Sequence, residues 1–403
     1  MDATASFRPP RRWLRLGKYL LPLGMSWPEG RWSRPPWRQV AIADLAAGYP
    51  QSVLLHTAGA AELLGDFSYT IHCDGRRETR VLPGKYVAAA RVAEIRDGQS
   101  FGRHCCVIGP DGTAVRETGF HLQGAVLDAK KPVPRWRPRY WRKRWEGDVT
   151  SRPWLPGRQR LDGRVAVLNQ RISHNYFHWL IEILPRLTAL RRAGVKVDYY
   201  LVDCLTPFQR DAFAALGIEP RQLIQPHCRL LLEAEQLLVP CYPTPQCLRD
   251  FRGIVTEARG AGRDLAARRI YISRRKTGTR TLANEEELEA LLSRHGFETH
   301  AMEQYSLVQQ AQLIQEARIV VATHGAGLAN LLFARPGTRV VEIVPAGRFN
   351  ATCYPNKSQI FGLHHQQVVA PRARHRQILR VGLKDVEAAL ERALASDRRS
   401  SAA

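Results

Sequence analysis

From about residue 160 the chain alternates short apolar runs with segments of helical period. Val165-Ala166-Val167-Leu168 reads as a buried strand, and Tyr176 to Ala193 reads as a helix that Gly194 stops. Val197 to Val202 is a second strand. Pro207 to Leu216 is a second helix ending at Gly217, with Pro207 at its start, where the missing N–H costs nothing. Gln222-Leu223-Ile224 and Gln236 to Val239 are further short strands. Pro240 to Pro245 breaks the rhythm, and a domain boundary is expected within 240–265. The alternation then restarts. Arg269 to Ser273 is a strand. Asn284 caps a helix to about His295, with Glu285 to Glu287 favourable to its dipole and Gly296 at its end. Ser306 to Ala317 is a helix, Arg318 to Thr323 a buried strand, Leu328 to Phe333 the start of a helix, and Val340 to Val344 a strand. Leu383 to Ala395 closes the series as a helix.

Two successive β/α regions, over 159–262 and 263–396, predict an α/β protein with two Rossmann-like domains facing one cleft. Before them, 51–158 reads as a small β-rich region with a basic linker. Val87 to Ile95 and Cys105 to Ile108 are its strands, and Asp97-Gly98 and Asp111-Gly112 its turn signals. Residues 1–50 are an arm rich in Arg, Pro and Trp. No internal repeat is visible.

Composition adds little to the fold and more to the choice of partners. At 403 residues, 44% hydrophobic and 24% charged, the chain is globular and long enough for two domains. The net charge of +23 admits nucleic acid, an anionic membrane surface, anionic substrates, or a bland compositional bias towards Arg. Two basic stretches carry aromatics. Arg8, Arg11, Arg12, Arg15 and Lys18 stand among Trp13, Trp27, Trp32 and Trp37, and Lys130 to Arg144 holds Trp136, Tyr140 and Trp141. Pro132, Pro134 and Pro138 break up the second, which reads as a solvated linker, and no nucleic-acid motif is present, so no nucleic-acid partner is expected. The eight Cys form no CxxC, which argues against a zinc framework or a disulfide scaffold and for a reducing cytoplasm. No membrane span or signal peptide is apparent, so a secreted or single-pass protein is disfavoured.

Four segments carry candidate chemistry. In Ile319-Val320-Val321-Ala322-Thr323-His324-Gly325-Ala326-Gly327-Leu328-Ala329-Asn330 an apolar strand runs into a glycine turn and a helix. Gly325 and Gly327 permit positive φ and a close backbone approach, and the helix start behind them offers N–H groups to a phosphate. His324 adds a side-chain donor. On the next strand, Glu342 either accepts ribose hydroxyls or pairs with a neighbouring Arg. Ile270-Tyr271-Ile272-Ser273-Arg274-Arg275-Lys276, followed by Thr279-Arg280, ends a strand in arginines whose forks match phosphate oxygens, or make a solvated basic turn. In Ser173-His174-Asn175-Tyr176-Phe177-His178-Trp179-Leu180-Ile181-Glu182, His178 and Glu182 are four apart and share a helix face. There Glu182 orients His178 and raises its basicity, or the histidines simply pack.

Taken together, these segments resemble glycosyltransferase family 61, also described as the DUF563 or capsular-polysaccharide-biosynthesis-like group. The resemblance rests on Asn175 through Arg186, Tyr271 to Arg275 with Arg280, Asn284 and Glu285, His324 to Asn330, and Val341-Glu342, in the family's order and spacing. It covers about 160–345. Ala329 departs from the Thr or Ser of the best-known eukaryotic members. The resemblance implies a GT-B-like fold, with the donor in the C-terminal domain. It also implies inverting transfer of a hexosyl or pentosyl group from a nucleotide sugar, commonly a UDP-sugar, to a hydroxyl of a glycan or lipid-linked acceptor in polysaccharide biosynthesis.

The residues suit that chemistry. No Asp-x-Asp occurs in the chain, so no metal and no cofactor is expected. Arg274, Arg275, Arg280, His324, Gly325, Ala326, Gly327, Asn330 and Glu342 are the candidate donor-binding residues, and the helix dipole helps neutralise the leaving diphosphate. His178 or His174 is the candidate base, with Glu182 behind it and Asn175 and Tyr176 on the acceptor side. A cytoplasmic location with peripheral contact at the inner, anionic face of the cell membrane follows from the charge. Two rivals remain: a non-catalytic basic protein that binds nucleic acid or membrane, and another nucleotide-using enzyme such as a dehydrogenase. The second lacks a Gly-x-Gly-x-x-Gly after a first strand.

Overall fold

A computed structural model describes residues 39–115, 118, 155–170, 172–257, 267–275, 277, 280–347, 351–371 and 378–401. Nearly all of the arm, the basic stretch at 130–144, Lys276 and Thr279 lie outside them. Two large sheets carry an α/β fold. In the first, Leu231–Pro240, Gln159–Val167, Tyr199–Leu201 and Leu223–Ile224 run parallel. Arg91–Phe101 lies antiparallel on the outer side of Leu231–Pro240 and itself pairs with Val53–Thr57 and Cys106–Ile108. In the second, Phe297–His300, Arg268–Ile272, Ala317–Thr323, Arg339–Pro345, His364–Ala370 and Phe67–Cys73 are parallel neighbours in that order. Arg76–Leu82 closes the far edge antiparallel. Every residue of Arg339–Pro345 is buried, as a strand covered on both faces must be. The strands before residue 116 are divided between the two sheets, apart from the small separate pair Glu62–Leu64 and Lys85–Val87, and the turn at Asp74-Gly75 is tied to Asp385 at the start of the Leu383–Ser401 helix.

Most elements fall where the apolar pattern puts them. The strand read over Val87 to Ile95 is instead two, Lys85–Val87 and Arg91–Phe101, and the expected boundary at 240–265 holds a helix, Pro245–Glu257. Three further differences have plain physical reasons. Asp97-Gly98 does not turn the chain. Arg91–Phe101 runs straight through it, with Asp97 at φ 49°, and Gly98 is needed because a Cβ there would lie 2.7 Å from that of Leu237. The helix read over 176–193 comes in three pieces: Tyr176–His178, a π turn at Trp179–Ile183, and Arg186–Arg192 after Pro185. Proline has no N–H to give the helical ladder, and π turns are frequent at functional sites. Asn284 sits at the N-cap but does not cap with its side chain. Its amide exchanges two hydrogen bonds with the backbone of Val381 and so pins the start of the last helix.

The largest hydrophobic cluster belongs to neither half alone. Trp179, Leu184, Phe213 and Phe251 from the first β/α region pack in one core with Ile272, Leu307, Leu328 and Phe333 from the second. Trp179 is fully buried and meets the rings of Phe208 and Phe213 edge-on at 5.2 and 5.8 Å. Apolar contact thus holds the two halves against each other along the Tyr176–Ile183 segment, and the candidate chemistry sits at that seam.

Candidate active site

The first half brings a histidine held by a carboxylate. Asn175 opens the helix, its side chain accepting from the Phe177 N–H at 2.9 Å. One turn on, His178 Nδ1 lies 2.8 Å from Glu182. The spacing of four that the sequence offers is therefore used. Glu182 is buried and also accepts from Tyr242 at 2.8 Å and from Gln170. Arg186, itself buried, braces this arrangement by donating to the Glu182 carbonyl at 2.9 Å and to Gln170 at 3.2 Å. Burial pushes the Glu182 carboxyl up, but the hydrogen bond from His178 and those from Tyr242 and Gln170 outweigh it, and the group ends below its ordinary value. With Nδ1 engaged by Glu182, Nε2 is the other ring nitrogen, and the side chain is 25% exposed. His174 and Asn175 stand exposed on the turn before the helix.

The second half brings another such pair, set deeper. Ala317–Thr323 delivers His324 to the end of its strand, where the His324 N–H donates to Ile343 at 2.8 Å. Nδ1 of His324 lies 2.5 Å from Glu342 on the adjacent strand. The other oxygen of Glu342 meets His365 Nε2 at 3.0 Å and accepts from Gln367 at 2.8 Å. Glu342 is wholly buried, and among the described residues two histidines and an amide, rather than an arginine, take its oxygens. Burial raises this carboxyl, and the hydrogen bonds from His324 and His365 overcome it and bring it down to about 2.

The glycine turn works by space rather than by backbone hand. Gly325 is extended at φ 175°, and Gly327 has no positive φ. A Cβ on Gly325 would stand 1.8 Å from Nη1 of Arg274, so glycine lets that guanidinium lie across the turn. Gly327 has Ile272 beneath it, 3.1 Å from where a Cβ would be. Ala326 and Gly327 are the first two residues of a 3₁₀ segment, Ala326–Phe333, positions whose N–H groups have no acceptor within the helix. Arg274 is buried, and burial first, Arg280 second, lower its pKa. Arg280 holds a left-handed φ of 55°, a conformation that costs a non-glycine residue energy. Arg275 turns away: it is exposed and bridges Glu289 at 2.8 Å.

Direct contacts join the two halves. The Tyr176 hydroxyl donates to Asn330 Oδ1 at 2.8 Å, with Gln310 Oε1 2.9 Å away, and Asn330 in turn donates to Gln310 at 2.7 Å. A ladder of edge-on rings leads from one histidine to the other: His178 to Phe177 at 5.2 Å, Phe177 to Tyr354 at 5.7 Å, Tyr354 to His324 at 5.2 Å. Tyr354 also donates to the Gly325 carbonyl. It is the second residue of a helix, Cys353–Phe361, that sequence reasoning missed. That helix supplies Ser358, 2.9 Å from Nδ1 of His365. The structure thus gathers His178, Glu182, Tyr176, Arg274, Arg280, His324, Gly325 and Asn330 at one seam with Glu342 beneath. It leaves Arg275 on the surface, and Tyr354, His365 and Tyr242 join as residues the motifs did not reveal.

Comparison with known proteins agrees with the motifs. Residues 176–341 match the profile of the family described as Glycosyltransferase 61, a segment that holds every motif residue gathered at the seam except Glu342. Over 84 residues the chain is 39% identical to beta-1,2-xylosyltransferase XAX1 of Oryza sativa subsp. japonica, a stretch of 21% of this chain and 14% of that protein. Over 75 residues it is 28% identical to xylan glycosyltransferase MUCI21 of Arabidopsis thaliana, 18% of this chain and 15% of that protein. The matched stretch thus spans only a small part of the length of either curated relative.

Proposed function

We propose, from the match of residues 176–341 to glycosyltransferase family 61, that the protein is an inverting, metal-independent glycosyltransferase. It moves a sugar from a nucleotide-sugar donor, a UDP-sugar, to a hydroxyl of a glycan or lipid-linked acceptor. The observation that carries the reading is the seam: a carboxylate-held histidine, His178, faces through two aromatic rings a second one, His324, at a glycine turn crossed by a buried arginine. In this reading the two halves are the lobes of a GT-B-like fold, with the donor on the second and the acceptor on the first. The relatives are named for xylosyl and xylan transfer, so a xylosyl donor is the first to test.

The chemistry follows from the placement. The acceptor O–H gives its proton to Nε2 of His178, and its oxygen attacks the anomeric carbon from the side opposite the leaving group. The bond between that carbon and the diphosphate oxygen breaks, its electron pair departs with UDP, and the anomeric configuration inverts. Glu182 stabilises the imidazolium that forms. Arg274, Arg280, His324 and the Ala326 and Gly327 amides take up the charge on the diphosphate, the task a divalent cation performs in enzymes with an Asp-x-Asp pair. We place the protein at the cytoplasmic face of a membrane, where a charge of +23 meets anionic lipid.

A donor screen tests this. Purified protein with a panel of nucleotide sugars, UDP-xylose first, should release nucleotide in excess EDTA, and Arg274→Ala or His324→Ala should abolish the release. No release from any donor, together with no thermal shift by any nucleoside diphosphate, would overturn it.

A further inference from the structure

We propose that Lys357, on the helix whose Tyr354 packs against Phe177 and His324, is an anion-binding residue of the seam, the cation that takes an oxyanion of a bound substrate. This rests on the reading above for its substrates, but not for its site. Lys357 lies on the Cys353–Phe361 helix, three residues after Tyr354 and one before Ser358. Those neighbours fix the helix to both carboxylate–histidine pairs, Tyr354 through Phe177 and His324, Ser358 through His365. From the other edge, Asn356 accepts from Lys85 at 3.1 Å and Gln359 donates to Gly65 at 2.6 Å. These contacts hold the helix on both edges, and Lys357 with it.

Its ammonium is not satisfied there. Among the described residues it has neither a salt bridge nor a hydrogen bond, although its side chain is partly buried and the field of Glu182 reaches it. The oxygens of Glu182 are already spent on His178, Tyr242 and Gln170. Burial lowers the pKa of Lys357, and Lys85 lowers it further, while Cys353 and Glu182 oppose them. A half-buried ammonium without a partner is costly. A framework lysine would carry a partner, and a solvated one would sit outside. An incoming oxyanion resolves the cost. Two substrates bring one to this place: the donor's diphosphate, and an acceptor carrying a phosphate or a sugar carboxylate.

The test titrates full-length protein with inorganic pyrophosphate, UDP, inorganic phosphate and glucuronate by calorimetry, comparing wild type with Lys357→Met and Lys357→Arg. At least one of these anions should lose about tenfold or more in affinity in Lys357→Met and recover in Lys357→Arg, the scale of a hydrogen bond to a charged group. Loss for pyrophosphate and UDP assigns the donor's diphosphate. Loss for phosphate or glucuronate, with UDP unchanged, assigns the acceptor. The ligand-free melting temperature of Lys357→Met should stay level or rise, because an unpaired charge is removed; a clear fall would mark a structural lysine and overturn the proposal. So would equal affinity of wild type and Lys357→Met for all four anions, or no binding of any by wild type. Wild type that binds phosphate or pyrophosphate through Lys357 but gains nothing from UDP would remove the UDP-sugar reading and leave the anion site standing.

Discussion

Among the described residues the same motif occurs twice, a buried carboxylate gripping Nδ1 of a histidine, and the two copies differ in what surrounds them. Glu342 is fully enclosed, and its second histidine, His365, is enclosed with it. Glu182 is equally satisfied, by His178, Tyr242 and Gln170, but its histidine keeps a quarter of its surface open. Identical chemistry thus serves two ends. Glu342, shared between the wholly buried His365 and His324, whose side chain is 11% exposed, sets the end of the Ala317–Thr323 strand and the turn that follows. Glu182 sits instead behind an accessible imidazole, and in the proposed reaction it sets the tautomer and steadies the charge of that ring.

The contrast can be broken at four points. The largest effect is expected from Glu342→Ala, which strands two buried imidazoles and should cost about 3–5 kcal/mol of stability in urea unfolding. A stable variant with only catalytic loss would reverse the roles of the two carboxylates. Next, His178→Ala should lower kcat by about 10²–10⁴-fold while UDP binding, read by calorimetry, stays within twofold of wild type. If UDP affinity falls with kcat, His178 belongs to the donor site. The third concerns acid. The Glu342 carboxyl sits at about 2 in the fold against an ordinary 4.5, so its contribution is complete above 4.5 and drains away as pH drops from there towards 2. Glu342→Gln should flatten the unfolding midpoint's dependence on pH across that window; an unchanged slope would mean that other carboxylates govern it. The smallest effect belongs to the link between the halves. Tyr176→Phe leaves Asn330 without its donor and should cost about 1–2 kcal/mol, with both histidines' roles intact.

Much of this was legible in the sequence because it is local. The spacing of His178 and Glu182 is a helix rule, and His324 follows an apolar strand into a glycine turn. What was not legible depends on distant chain. Gly325 reads as a residue of unusual backbone, yet its need is room for a guanidinium about fifty residues earlier. Arg274 and Arg275 are indistinguishable as neighbours, and only the Glu285–Arg294 helix, by offering Glu289, draws one of them away. The Cys353–Phe361 helix carries Pro355 and no strong apolar stripe, so periodicity passes it over. His365 lies in His364-His365-Gln366-Gln367, a polar run that becomes a strand interior because Arg339–Pro345 pairs with it and Glu342 needs its donors.

The strand exchange between early and late chain has a consequence for biosynthesis. His72 meets Gln366 across 294 residues, so Phe67–Cys73 leaves the ribosome roughly 15–60 s before His364–Ala370 follows, at about 5–20 residues per second. Throughout that interval its hairpin with Arg76–Leu82 must wait with one edge unclaimed, a template for aggregation. Arg76, Arg77 and Arg80 on the outer strand are exposed, and charge of that kind keeps a waiting hairpin from recruiting its neighbours on the polysome.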